Sequence, residues 1–393
     1  MQLRRLTSVS LGHLAIDVLN SSVAMILTAL AAPFNLSNSQ IGLGVMIYAL
    51  VGSLSQPYFG WLADRLSGRW LGALGLLWTA LFYLAATYTQ SYLGLLVVMS
   101  LAALGSGAFH PQGAMNASHA GRRRASSATA VFFLLGQIGL ALGPVLAGIL
   151  LERSGLAGVR ILAFASLPVV LLMALELNQP SVHHEEGDQQ TPPRRDETPG
   201  RSASPARSRR WVVVLAFAVL VAFRATVQQG YYGLLPKFLA DRGFSPSEYG
   251  LMVGLFSLTL AMGTLGGGVL GDRMDHRKLL IWTLLATTPF TFFMLNSSGA
   301  AYWILAALAG FLVGAPHSIL IIMAQRLLPQ RQGFASGAVL GFMFASGAAG
   351  TGLAGWIADF VDLSLVLHTV ALLPLGAGLA AFFLNGARQP RAA

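Results

Sequence analysis

Apolar runs long enough to form membrane-length helices recur along this chain, separated by short breaks carrying Arg, Asp, Gly and Pro. A bilayer core about 30 Å thick takes roughly 20 apolar residues in helical form. Such runs lie near 8–32, 40–63, 70–88, 92–116, 125–151 and 159–178, and again near 211–234, 246–270, 279–296, 300–325, 333–357 and 364–385. The pattern predicts an all-α membrane protein with twelve transmembrane helices in two pseudo-symmetric six-helix bundles, 1–178 and 211–393. Between them stands QPSVHHEEGDQQTPPRRDETPGRSASPARSRR, rich in Pro, Ser, Arg and acids. A segment of that composition buries no core, so 179–210 reads as a flexible cytoplasmic linker.

Composition strengthens the membrane reading. Of 393 residues, 55% are hydrophobic and 10% charged, against about 25% charged in soluble domains. There is no cysteine, so no disulfide framework, thiol nucleophile or thiolate metal site is available. No metal and no cofactor are expected. The basic start MQLRR leads into an apolar run that continues to Ala32 without a small-residue cleavage site, so this run reads as the first span rather than a signal peptide.

The formal net charge of +10 would suit a nucleic-acid partner, but its placement argues otherwise. With a cytoplasmic N-terminus, 20 of the 25 Lys and Arg residues fall on the cytoplasmic side, from Arg4 and Arg5 through the six linker arginines to Arg388 and Arg391. Only Arg153, Arg160, Lys237 and Arg242 fall on the other side, and Arg224 lies within a span. This bias puts both termini and the linker inside a bacterial inner membrane. It accounts for the charge without nucleic acid. The linker arginines either touch anionic lipid or belong to a solvated tether.

The two halves repeat. After the second span stands Gly60-Trp-Leu-Ala-Asp64-Arg65-Leu-Ser-Gly68-Arg69, and after the eighth Gly268-Val-Leu-Gly-Asp272-Arg273-Met-Asp-His-Arg277-Lys278. Each Asp-Arg pair sits where a helix emerges into the cytoplasm, where the carboxylate can pair with a base or cap a helix N-terminus. These loops resemble the loop motif of the major facilitator superfamily, although Asp275-His276 replaces the glycine usual there. The fifth span, with Gly136, Gln137, Gly139, Gly143, Pro144 and Gly148, resembles the fifth-helix motif of the superfamily's antiporter branch. Span eleven keeps the glycines without the proline. Glycines at this spacing also serve plain helix packing.

Ionisable groups inside spans are costly and rare. Here they are Asp17, His110, Arg224 and His317, on spans one, four, seven and ten, with His13 one turn before Asp17. Asp17 and Arg224 stand 207 residues apart, as do His110 and His317. The superfamily resemblance implies that these four helices line a central cavity. Asp17 and His110 are expected to carry protons. Arg224, Gln228, Tyr231, His13, His317 and Gln137 are expected to meet substrate. An Asp17–Arg224 pair would act either as a switch or as a buried tie between the halves.

The strings Gly12-His13-Leu-Ala-Ile-Asp17-Val-Leu-Asn20-Ser21 and Ala108-Phe109-His110-Pro111-Gln112-Gly113 are similar to those of the fosmidomycin-resistance-type branch of efflux transporters. That resemblance implies export of a drug or other small molecule in exchange for protons; a monomer is expected. Import of a sugar or organic acid and flipping of a lipid or lipid-linked sugar remain open. An enzyme is not expected, because the chain has no HExxH, no GxSxG and no P-loop.

Overall fold

The structure is a computed structural model that describes residues 2–65, 70–177, 207–327 and 332–384. Among these residues every regular element is helical. The helices are α1 (Leu3–Ser21), α2 (Val23–Ala29), α3 (Asn38–Arg65), α4 (Leu71–Ala86), α5 (Tyr92–Gly121), α6 (Ala125–Leu177), α7 (Arg207–Asp241), α8 (Pro246–Gly271), α9 (His276–Met294), α10 (Gly299–Gly314), α11 (Pro316–Leu327), α12 (Gln332–Ile357) and α13 (Leu363–Ala381). Nine stretches among the described residues are long and apolar enough to cross a bilayer, while α4, at 16 residues, is shorter.

The helices follow the apolar runs closely, with four instructive differences. The first run breaks at Ser22, whose hydroxyl donates to the Leu19 carbonyl at 2.8 Å and meets the Tyr83 hydroxyl at 2.6 Å. The fifth and sixth runs follow one another in α6 without an intervening loop, but stay two helical stretches parted at Gly155, where φ +58° and ψ −151° lie outside helical space and suit only glycine. The tenth run divides at Ala315, just ahead of Pro316. Finally, α7 begins at Arg207, four residues inside the expected linker. The rest of the linker, 179–206, lies outside the described residues.

Large apolar side chains such as Leu93, Ile161, Leu171, Leu215, Trp282 and Leu365 are exposed on the outer surface. In water these would be a liability; in a bilayer they face lipid. Inside, α1 packs on α6 and α5, α3 on α5 and α12, α6 on α8, and α7 on α12 and α13. Small residues permit the contacts between the first and second halves of the chain. A Cβ on Gly42 of α3 would lie 2.9 Å from the Thr351 carbonyl oxygen and 3.1 Å from the Gly355 Cα of α12.

One end of the molecule is latched across these contacts. The Asn38 amide donates to the Ala358 carbonyl at 3.1 Å. The Ser39 backbone N–H donates to both Asp359 carboxylate oxygens at 3.2 Å, and its hydroxyl donates to Oδ2. Between α6 and α8, the Ser247 N–H donates to Glu152 Oε2 at 2.9 Å.

Candidate functional site

Asp17 is placed by α1 and is buried with His13 one turn earlier. Three glycines of α6 make that placement possible. A Cβ on Gly136 would strike the His13 ring, one on Gly139 would lie 2.5 Å from the Leu14 carbonyl oxygen, and one on Gly143 would lie 2.5 Å from that of Val18. The expected glycine motif therefore forms the trough in which the Asp17 face of α1 lies. Gly148 instead meets α8, where a Cβ would come within 2.3 Å of the Pro246 carbonyl oxygen. Pro144 lies inside α6, and its carbonyl oxygen packs against Gly250 of α8.

His110 reaches the same carboxylate from α5. His13 Nε2 stands 3.2 Å from Asp17 Oδ2, and His110 Nε2 stands 3.4 Å from Asp17 Oδ1. Each histidine turns its other ring nitrogen to a backbone carbonyl: His13 Nδ1 is 2.8 Å from Phe132 O, and His110 Nδ1 is 2.8 Å from Ser106 O. A carbonyl oxygen only accepts, so each Nδ1 carries the hydrogen. The Asn20 amide donates to Asp17 Oδ1 and to Ser106 Oγ, both at 3.0 Å. The Tyr48 hydroxyl donates to Asn20 Oδ1 at 2.6 Å. The His13 ring stacks on Phe132 with centroids 4.0 Å apart. His110 is the least enclosed of the three, with 24% of its side chain exposed against 8% for Asp17.

Sequence reasoning placed Asp17, His13 and His110 on two helices but did not join them into one cluster. It also missed Asn20 and Ser106 as partners, because their separation of 86 positions is bridged only in the fold. Ser21 bonds the Asp17 backbone carbonyl at 2.7 Å rather than adding to the side-chain cluster.

Arg224 forms a second polar locus, on α7. It is 2% exposed; its Nε donates to Val313 O at 3.0 Å, and its Nη2 has no hydrogen-bond partner among the described residues. The expected pairing of Arg224 with Asp17 is not formed here, because α1 packs on α5 and α6 while the guanidinium turns to the Val313 carbonyl of α10. His317 and Tyr232 lie within electrostatic reach of Arg224, with Gln228 beside the Tyr232 hydroxyl. Tyr231 sits apart from this locus. It is fully buried, packs on Phe256 and donates to Thr291 O at 3.2 Å, while its half-buried neighbour Tyr232 lies towards Arg224. Gln137 is half-buried on α6, next to the glycine that abuts His13.

The loop motifs are resolved unequally. Gly60 of α3 packs near Pro111, with 3.8 Å between its built Cβ position and the Pro111 Cβ. The backbone of Asp64 and Arg65 closes α3, while Gly68 and Arg69 lie outside the described residues. In the second copy, Asp272 caps the C-terminus of α8, and Asp272 and Arg273 are exposed. Arg277 donates to Phe382 O. The departure from the family's glycine has a structural use. Asp275 caps the N-terminus of α9 by accepting from Lys278 N at 3.0 Å, and His276 bonds Gly271 O at 3.0 Å.

Comparisons with known proteins agree with this architecture. The family model described as Major Facilitator Superfamily matches residues 9–245 and 217–393. The chain is 29% identical over 393 residues to the fosmidomycin resistance protein of Escherichia coli (strain K12), covering 98% of this chain and 93% of the relative. It is 24% identical over 390 residues to the uncharacterized MFS-type transporter YfnC of Bacillus subtilis (strain 168), covering 98% and 93%. Its fold matches the crystal structure of a bacterial homologue of the human lysosomal transporter Spinster, inward-facing and occupied, with a TM-score of 0.74 at 15% identity, over 96% of this chain and 93% of that one. With both halves matched by the family model and an all-helical fold to go with it, the chain belongs to the Major Facilitator Superfamily, a family of multi-pass membrane transporters and not of enzymes.

Proposed function

We propose that this protein exports a small molecule across a bacterial inner membrane in exchange for protons, through twelve spanning helices in two six-helix bundles that alternate access to a central site. Asp17 and His110 carry the protons, with His13 as their partner, and Arg224 holds an anionic group of the substrate. The observation that carries the reading is the commitment of both histidine Nδ1 atoms to carbonyls. Each Nε2 then faces a carboxylate oxygen, and a lone pair facing a lone pair repels. Each of the two N···O contacts becomes a hydrogen bond only when a proton sits in it, so the cluster has room for up to two. A group of this kind binds and releases protons as its surroundings change from one side of the membrane to the other. Export as the direction draws support from the similarity to the fosmidomycin resistance protein over nearly the whole chain.

In this reading both termini and 179–210 face the cytoplasm, so the Ser39–Asp359 end faces away from it and is the closed end. Single cysteines placed by Arg195→Cys and Gln90→Cys in the naturally cysteine-free chain test this orientation. An impermeant thiol reagent added to intact cells labels the second and spares the first; the opposite result inverts the topology.

The mechanism is tested in proteoliposomes. Asp17→Asn keeps substrate binding and exchange but loses accumulation driven by a pH gradient, because an amide does not alternate between charge states. Accumulation with unchanged pH dependence in this variant would remove Asp17 from the proton path. Uptake of an organic acid would use the same groups, and the direction of accumulation under an imposed gradient separates it from export.

A further inference from the structure

The Asp17 cluster has a second property, independent of whether it moves protons. The ligand atoms of His13, Asp17 and His110 all lie within 4.8 Å of one another. His13 Nε2 lies 3.2 Å from Asp17 Oδ2 and His110 Nε2 lies 3.4 Å from Oδ1 of the same carboxylate, spacings close to those of a coordination shell that the carboxylate can enter through either oxygen. Ligands bound at about 2.1 Å around a tetrahedral ion stand roughly 3.4 Å apart. The supporting contacts are also in place. Metal-bound histidines turn their other ring nitrogen to a carbonyl or carboxylate, which fixes the ring and its tautomer. Here Phe132 O and Ser106 O do this for His13 and His110, and the Asn20 amide holds the carboxylate through Oδ1.

We propose that His13 Nε2, His110 Nε2 and an Asp17 carboxylate oxygen form a binding site for one divalent transition-metal ion of the zinc class. Two imidazoles and one carboxylate suit such ions. The absence of thiolate disfavours Cu(I), and the single oxygen donor disfavours calcium and magnesium. Three protein ligands leave a fourth position, and the partial exposure of His110 puts it on that residue's side, open to water or to a donor atom of a substrate. A bound ion also removes the lone-pair conflict in the cluster, since each Nε2 then donates to the metal. Metal and protons therefore exclude one another at this site.

The test uses purified full-length protein freed of any affinity tag, with Co2+ as the probe because its visible absorption reports coordination. His183 and His184 of the linker are a competing pair of imidazoles, so titrations run in a His183→Gln/His184→Gln background. The expected result is one Co2+ per chain with a four-coordinate spectrum, displaced by Zn2+. His110→Gln, His13→Gln and Asp17→Asn should each weaken binding by roughly tenfold or more, with thermal melting confirming that each variant is folded. No saturable spectrum in the linker-substituted protein, or a spectrum unchanged in all three site variants, overturns the proposal. Transport by the wild type is measured separately in chelator-treated buffer, so a failure of the metal site and a failure of the proton reading give different results. If both hold, Zn2+ inhibits gradient-driven transport in the wild type.

Discussion

At the scale of single residues, the two polar loci call for opposite compensation. Asp17 has two imidazoles around it, whereas the Arg224 guanidinium keeps Nη2 without a hydrogen-bond partner among the described residues. A buried, incompletely bonded cation weakens a protein unless a ligand completes it. Arg224→Gln should therefore leave the melting temperature of the substrate-free protein unchanged or raised. It should weaken binding of an anionic substrate by roughly ten- to a hundredfold, the loss of a hydrogen bond to a charged group. Melting curves and equilibrium binding on the same preparation check both parts; a large loss of ligand-free stability would make Arg224 a structural tie. Asp17, His110 and Arg224 were legible in the sequence because charge inside an apolar run stands out. Their partners were not. Asn20, Ser106 and Tyr48 are ordinary polar residues until the fold brings them together, and which of Tyr231 and Tyr232 lies towards Arg224 depends on which face of α7 packs against Thr291.

At the scale of elements, the cluster depends on how closely α1 approaches α6. Gly143→Val puts a branched side chain where a Cβ alone would lie 2.0 Å from Ser21 Oγ. Overpacking of this kind costs about 1–3 kcal/mol and should lower the melting temperature while disturbing the cluster one turn away. Gly341→Ala is the contrasting case, since nothing lies within 4 Å of its added Cβ. On helix propensity alone it should stabilise α12 by up to about 1 kcal/mol. If the two substitutions melt alike, the close approach of α1 to α6 is not what holds them. Helix extents were legible because burial in lipid needs long apolar runs, and α5 and α8 start within a residue of the runs that foretold them. The break at Gly155 was legible, because Glu152, Arg153 and Ser154 interrupt the apolar pattern between 151 and 159; the break at Ser22 was not, since it depends on a local turn that leaves hydropathy unchanged.

At the scale of the whole molecule, the Ser39–Asp359 latch responds to pH. Burial works against the charged Asp359 carboxylate, but hydrogen bonds from Ser39 and Ser37, and from the backbone N–H groups of Ser39 and Asn38, prevail and hold its carboxyl below the ordinary value. The latch is therefore at full strength at neutral pH. It weakens only as the pH falls below about 4, where the carboxyl takes up a proton. Asp359→Asn should imitate the acid state at neutral pH and raise the labelling rate of a cysteine introduced by Asn38→Cys. An unchanged rate would mean that the glycine contacts alone keep this end shut.

The enclosure of α1 also bears on how the protein is made. The stretch Leu3–Ala29 is 72% buried over its apolar window, more than any other described span, yet it is synthesised before the helices that bury it. His13 and Asp17 have each other and Asn20 on α1, but their remaining partners lie on α5 and α6, which are synthesised about a hundred residues later. Until then α1 is a lone span carrying a carboxylate at a cost of about 2.5–3.5 kcal/mol near the bilayer centre, so it either waits at the translocon or sits in lipid in a strained state. In an insertion reporter, Asp17→Leu should make the isolated first span enter the membrane more efficiently, while the full-length variant gains nothing in yield. On this prediction the insertion cost of α1 is set by Asp17, the residue proposed above to carry a proton.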